Sequence, residues 1–212
     1  MGRRRTFDRD TVLMAAANAF RMHGYRDISI ATLEKATGLV SGSIYNAFGD
    51  KAGLFRAALE RYVHGFVAER VRRFAGSGAT LDDLEGLFLS VLEPPLADGF
   101  GCLVTNSIVE FGREDGPARE SIDATMALLR EAFDDVLTRE LGADAAAGAT
   151  MQLLTLYHGI LTLSRSGLPM DELARSVRLT FAQLRTQRAN PPSCPNPESP
   201  GPESPGPERT TT

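Results

Sequence analysis

Between Ser29 and Lys51 the chain reads SIATLEKATGLVSGSIYNAFGDK, and its punctuation leaves room for two short helices joined by a tight turn. Ser29 can cap the first helix by accepting from the free N–H groups two or three residues on, and Ile30 and Leu33 give that helix an apolar side. Gly38 stops it, because a residue without Cβ takes the left-handed turn at no steric cost, and Leu39 then drops toward the core. The second helix runs from about Ser41 to Phe48. Ile44 and Phe48, four apart, share its inner face, while Ser41, Ser43 and Asn46 project outward. A short exposed helix bearing hydroxyl and amide groups suits a DNA major groove about 12 Å wide, where such groups reach base edges or phosphate oxygens. Spacing alone is equally compatible with an ordinary helical hairpin showing a solvated face.

The run Gly38-Leu39-Val40-Ser41-Gly42-Ser43-Ile44-Tyr45-Asn46-Ala47-Phe48-Gly49-Asp50-Lys51 resembles the end of the DNA-binding domain of TetR-family bacterial transcriptional regulators, G-V-S-x-G-x-L-Y-x-x-F-x-x-K. The Gly, Tyr, Phe and Lys positions fit without a gap, and the resemblance covers about residues 6–66. Val40 departs from the pattern, standing where the family has a Ser that caps the helix and touches a phosphate. Ser41 is one residue away and could take over the cap by a one-residue shift. The resemblance implies that Ser41, Gly42, Ser43 and Asn46 face the major groove and that Tyr45 and Lys51 hold phosphates. In the same reading Ser29 and Thr32 support that contact from the preceding helix.

The flanks agree with a nucleic-acid partner. Arg3, Arg4 and Arg5 form a basic arm at residues 1–5 that can lie along phosphates or in a minor groove, or simply be solvated. Asp8 can cap a first helix whose buried stripe is Val12, Ala16, Ala19 and Phe20, ending at Gly24. Asp50 can cap a fourth helix from Lys51 through Arg73 to Gly76. Gly65 inside it weakens the helix locally and permits bending. Lys51 at that helix N-terminus is disfavoured by the dipole, which a nearby phosphate would relieve. Residues 1–75 hold 13 Lys and Arg against 7 Asp and Glu, and the remainder 10 against 20. The two ends are therefore about +6 and −10, so an acidic body would be repelled by DNA and orient the basic end toward it.

From Thr80 onward amphipathic helical spacing recurs without a strand signature. Segments start at Thr80, after Gly101, at Gly116-Pro117, at Ala145 and at Pro169. With the N-terminal four, the expectation is an all-α fold of about nine helices: a three-helix helix-turn-helix domain at 6–66, and a helical ligand-binding and dimerisation domain at 67–189. The resemblance adds that the last two long helices form a four-helix interface in a homodimer, with Ala145 to Ala149, Gly148 and Gly159 allowing close approach. Residues 190–212 repeat PESPG, and that composition predicts a disordered tail.

The chemistry left over is modest. His23, His64 and His158 are scattered, no phosphate loop or nucleophile elbow occurs, and no metal-ligand spacing exists, so neither an enzyme nor a metal or cofactor is expected. No run approaches 18 apolar residues and no apolar signal segment leads the chain, which predicts a cytoplasmic protein without membrane contact. Only Cys102 and Cys194 occur, as suits a reducing compartment.

A small-molecule effector would enter among Phe66, Phe88, Leu92, Leu103, Asn106, Phe133, Leu154, Tyr157 and His158, an apolar lining with a few polar anchors. His158 reads either as a satisfied core histidine or as such an anchor. Cys102 opens the GCLVTN run, which resembles the start of the sixth helix in a subset of the family where a Cys there senses electrophiles. A helix N-terminus favours thiolate, but a free Cys is also an ordinary buried hydrophobe. The expected function is a repressor that binds a palindromic operator as a dimer and is released by a small molecule. A thiol switch at Cys102 is the alternative, and a carrier or enzyme with a vestigial DNA-binding head a third.

Overall fold

The computed structural model describes residues 7–189. Among them the chain forms nine helices and no strand, counting as one the long helix that follows the helix-turn-helix. The N-terminal helices are α1 (Arg9–His23), α2 (Ile30–Thr37) and α3 (Ser41–Phe48). Helix α4 begins as Lys51–Tyr62, widens into a π turn at Val63–Val67 and resumes as Ala68–Phe74. The body follows with α5 (Leu81–Ser90), α6 (Leu103–Phe111), α7 (Arg119–Leu141), α8 (Ala143–Arg165) and α9 (Met170–Ala189).

Local signals fix most of these ends. Asp8 accepts the Asp10 N–H at 3.2 Å and the Thr11 hydroxyl. Thr80 and Asp83 form a reciprocal capping box, the Thr80 N–H donating to Asp83 at 2.9 Å and the Asp83 N–H to Thr80 at 3.3 Å. Helix α7 starts two residues after Pro117, because Gly116–Ala118 form a turn in which the Gly116 carbonyl accepts from the Arg119 N–H. Gly142, at φ +84, separates α7 from α8 by a single residue, so α8 begins at Ala143, two residues before the expected start. The softness expected at Gly65 takes the form of the π turn rather than a kink. There the Arg61 side chain lies so close over Gly65 that a Cβ would meet its Nη1, and Arg61 Nε reaches Asp10 at 3.3 Å.

One apolar core runs the length of the molecule. At the N-terminal end α1 packs on α2 and α4, with Phe20 meeting Phe55 edge-on at 4.8 Å and Leu33, Ile44 and Leu54 fully buried. Each such side chain contributes roughly 1.5–3 kcal/mol on burial. In the body α7 and α8 lie against each other and α9 packs on α5. Phe88 is the hub, its ring 5.3–5.5 Å from those of Phe133, Phe181 and Tyr157. At the rim Arg185 of α9 pairs with Asp82 and Glu85 of α5.

Candidate nucleic-acid interface

Helix α3 is two-faced as its spacing demands. Ile44 is fully buried, Phe48 and Leu39 pack against the core from its edge, and Gly42, Tyr45 and Asn46 are exposed. Ser41 and Ser43 sit half-buried between the two faces. Open space surrounds Gly42, so another surface can approach the backbone closely there. At the start of the preceding helix Ser29 caps α2, accepting the Thr32 N–H at 3.1 Å, and the Ser29 and Thr32 hydroxyls lie 2.9 Å apart.

The start of α3 corrects one expectation. Ser41 does not become the cap by a shift; it is the first helical residue, and Val40 occupies the cap position with no side-chain hydrogen bond. The missing function comes from α2, where the Glu34 carboxylate accepts the Ser41 N–H. A carboxylate at a helix N-terminus satisfies an orphan donor and complements the dipole. Val40 is thereby released from capping and stands 67% exposed beside the outward face of α3.

Lys51 is already engaged. Its ammonium donates to the Arg26 carbonyl at 3.3 Å and stands 4.9 Å over the Tyr25 ring. The unfavourable helix-end position is thus relieved within the protein, by a carbonyl and an aromatic face. Arg3, Arg4 and Arg5 lie outside the described residues, as do the tail from residue 190 and Cys194.

The expected effector-pocket residues gather in one region but largely fill it. Phe88, Phe133 and Tyr157 pack ring to ring, and Leu92, Leu103 and Leu154 are buried in the same core. Phe66 stacks on Tyr62 at 5.1 Å, half-buried, with Arg70 over its outer side. Asn106 belongs elsewhere: its amide donates to the carbonyls of Arg21 and Phe100, at the seam between α1 and α6. His158 Nδ1 lies 3.0 Å from the Thr105 hydroxyl, while its Nε2 is buried without a partner. Burial lowers the His158 pKa and keeps the ring neutral. The Tyr62 hydroxyl is a second buried polar atom without a partner, and burial, with Cys102 beside it, raises its pKa. Cys102 itself is the 4% exposed cap residue of α6. A groove of about 660 Å³ opens instead between α4 and α7, lined by residues such as Arg56, Glu60, His64, Pro117, Glu120 and Leu128.

Sequence reasoning passed over Glu34, Arg21, Glu110 and Arg165. Arg21 carried a signal, being a charge in register with the buried Leu13 and Ala17 of α1. Its guanidinium is buried against Asp98 and the Gly101 carbonyl at 2.9 and 3.0 Å. Burial pushes the Asp98 carboxyl up, yet the Arg21 hydrogen bonds and charge and the Phe100 N–H together hold it below the usual carboxylate range.

Residues 12–58, from α1 into α4, match the model of the bacterial regulatory proteins, tetR family. A cysteine mutant of the TetR family transcriptional regulator CifR, complexed with 26 bp double-strand operator DNA, superposes with TM-score 0.73 at 25% identity, over 85% of this chain and 98% of that one. The chain's DNA-binding domain is of the TetR family. Its helix-turn-helix is the DNA-binding element of that family, which makes the protein a DNA-binding regulator. The HTH-type transcriptional repressor ComR of Escherichia coli (strain K12) is 46% identical over 68 residues, 32% of each chain. The match therefore spans about a third of that repressor's length. The HTH-type transcriptional regulator YezE of Bacillus subtilis (strain 168) is 28% identical over 194 residues, 87% of this chain and all of that one. Among the described residues no helix is long and apolar enough to cross a membrane, and no group of three or more His, Cys, Asp and Glu side chains could hold a metal ion.

Proposed function

We propose that the protein is a cytoplasmic repressor that binds a two-fold symmetric operator as a homodimer and is released when a small molecule enters its helical body, without catalysing a reaction. The observation that carries the DNA-binding half is the α3 surface: Gly42 open, Tyr45 and Asn46 exposed, and Ile44 anchoring the helix beneath them. In this reading Ser41, Gly42, Ser43 and Asn46 enter the major groove and Tyr45 donates to a phosphate. Ser29 and Thr32 support the contact, and the basic arm at Arg3–Arg5 adds sequence-independent attraction. Lys51 reaches a phosphate by exchanging its bond to the Arg26 carbonyl.

The dimer half rests on the outer faces of α8 and α9, where Met151, Leu163 and Leu179 are 43–62% exposed alongside Gly148 and Gly159, with Leu168 exposed in the turn between the two helices. Large apolar side chains left on two adjacent helices call for a partner surface, and a second copy completes a four-helix packing. The effector half rests on Tyr62 Oη and His158 Nε2, two buried polar atoms without partners in an otherwise apolar centre, which suit a mainly apolar ligand with a hydrogen-bonding group. A thiol switch fits less well, since Cys102 is 4% exposed and packs as a small hydrophobe.

Operator titrations over a salt series test the reading. Tyr45→Phe should weaken all sequences alike, whereas Asn46→Ala should also relax preference at one base pair, worth about 1–3 kcal/mol. Wild-type binding that is indifferent to salt would sink the phosphate contacts.

A further inference from the structure

We infer that Glu110 is the positioning residue that sets the tilt of the DNA-binding head against the body, and with it the half-site spacing the dimer accepts; the inference rests on the dimeric operator-binding reading above. Helix α1 ends at His23, and Gly24, at φ +78, turns the chain away. The next two amides have left the helix. Both donate to one carboxylate supplied by the body: the Tyr25 N–H to Glu110 Oε2 at 2.9 Å and the Arg26 N–H to Glu110 Oε1 at 2.6 Å. Gly24 makes the room, since a Cβ there would stand 3.3 Å from Oε2.

Because the held groups are backbone amides, the carboxylate fixes the path of the turn itself. Charge-assisted bonds of this kind are short and directional. A second station lies four residues earlier on the same face of α6, where Asn106 donates to the Arg21 and Phe100 carbonyls at 3.1 and 3.0 Å. Arg165 of α8 reaches the same Arg21 carbonyl at 2.9 Å. The Tyr25 ring fills the space between Phe55 and Phe111, 4.9 and 5.4 Å away. Helix α2 begins at Ile30, just past this turn, and packs on α3. A shift of α6 at Glu110 therefore carries the α2–α3 pair with it or breaks the two amide bonds. In a dimer such a tilt changes the separation of the two recognition helices, and one base pair corresponds to about 3.4 Å along the duplex and about 35° around it.

The test uses a duplex selected by the wild-type protein from a random pool, versions with the spacer between half-sites one base pair longer or shorter, and a duplex carrying one half-site. Wild type should bind both altered spacers at least about tenfold more weakly. Glu110→Ala, and the nearly isosteric Glu110→Gln, should narrow that ratio to about threefold or less while keeping wild-type affinity for the single half-site. An unchanged spacing ratio in both variants, or an equal loss on every duplex including the single half-site, would overturn the inference. A wild-type protein that selects no two-fold symmetric duplex would instead sink the dimeric-operator reading, and the inference with it.

Discussion

Replacing Glu34 by alanine should destabilise the free protein by about 1.5 kcal/mol, and the figure can be built from the start of α3. Of the first N–H groups there, those of Ser43 and Ile44 bond the Val40 carbonyl at 2.9 and 3.1 Å, and that of Ser41 bonds Glu34. Val40 offers no side-chain acceptor, so Glu34 is the side chain that caps this eight-residue helix. Loss of a cap costs about 1 kcal/mol, and removing a negative charge from a helix N-terminus about 0.3–1 kcal/mol more. For a chain of this size that lowers Tm by roughly 3–6 °C in a cooperative melt. The melt should be run without DNA, because removing an anion beside the interface raises affinity for phosphates and would mask the loss in a binding assay. Glu34→Gln keeps an acceptor without the charge and should fall between the two. A Glu34→Ala protein that melts within about 1 °C of wild type would mean that water satisfies the Ser41 amide and that the carboxylate does not cap.

Three further outcomes follow from the seam and the body. Arg21→Met leaves the buried Gly101 carbonyl without its donor and should cost about 2 kcal/mol in a denaturant titration, with Asp98 rehydrating in place. His158 has a pKa lowered by burial, so the unfolded chain binds its proton first. That contribution is complete above the ordinary value near 6.5 and is lost as pH falls from there through the lowered folded value, and His158→Gln should flatten this part of the stability-versus-pH curve. Leu179→Glu, at a 62% exposed position on α9, should leave the helical content unchanged and shift sedimentation from dimer to monomer at micromolar concentration.

How much of this was legible in advance depended on how local each determinant is. Ser29, Gly38, Asp50 and Thr80 act within a few residues of themselves, and the ends of α2, α4 and α5 could be read from them directly. The cap of α3 could not, because its acceptor sits in another helix, seven residues before the amide it serves. The body shows a different limit. Phe88, Phe133 and Tyr157 follow the same helical spacing whether they line a cavity or close it, since periodicity reports which face is apolar and not whether opposing faces meet. Asn106 shows the opposite limit: it interrupts an apolar face of α6, and a polar interruption can serve a ligand or a backbone. Its partners decide, and they come from Arg21 on α1 and from the loop before α6. Arg21 and His158 break apolar faces in the same way, and each makes its hydrogen bonds across a helix boundary, to the loop before α6 and to α6 itself. A polar residue in an apolar register is costly to bury unless something satisfies it. Such residues therefore mark where elements join even when the sequence cannot name the partner; in this chain His158 marks a joint within the body, and Arg21 and Asn106 mark the seam that ties the basic head to the acidic body.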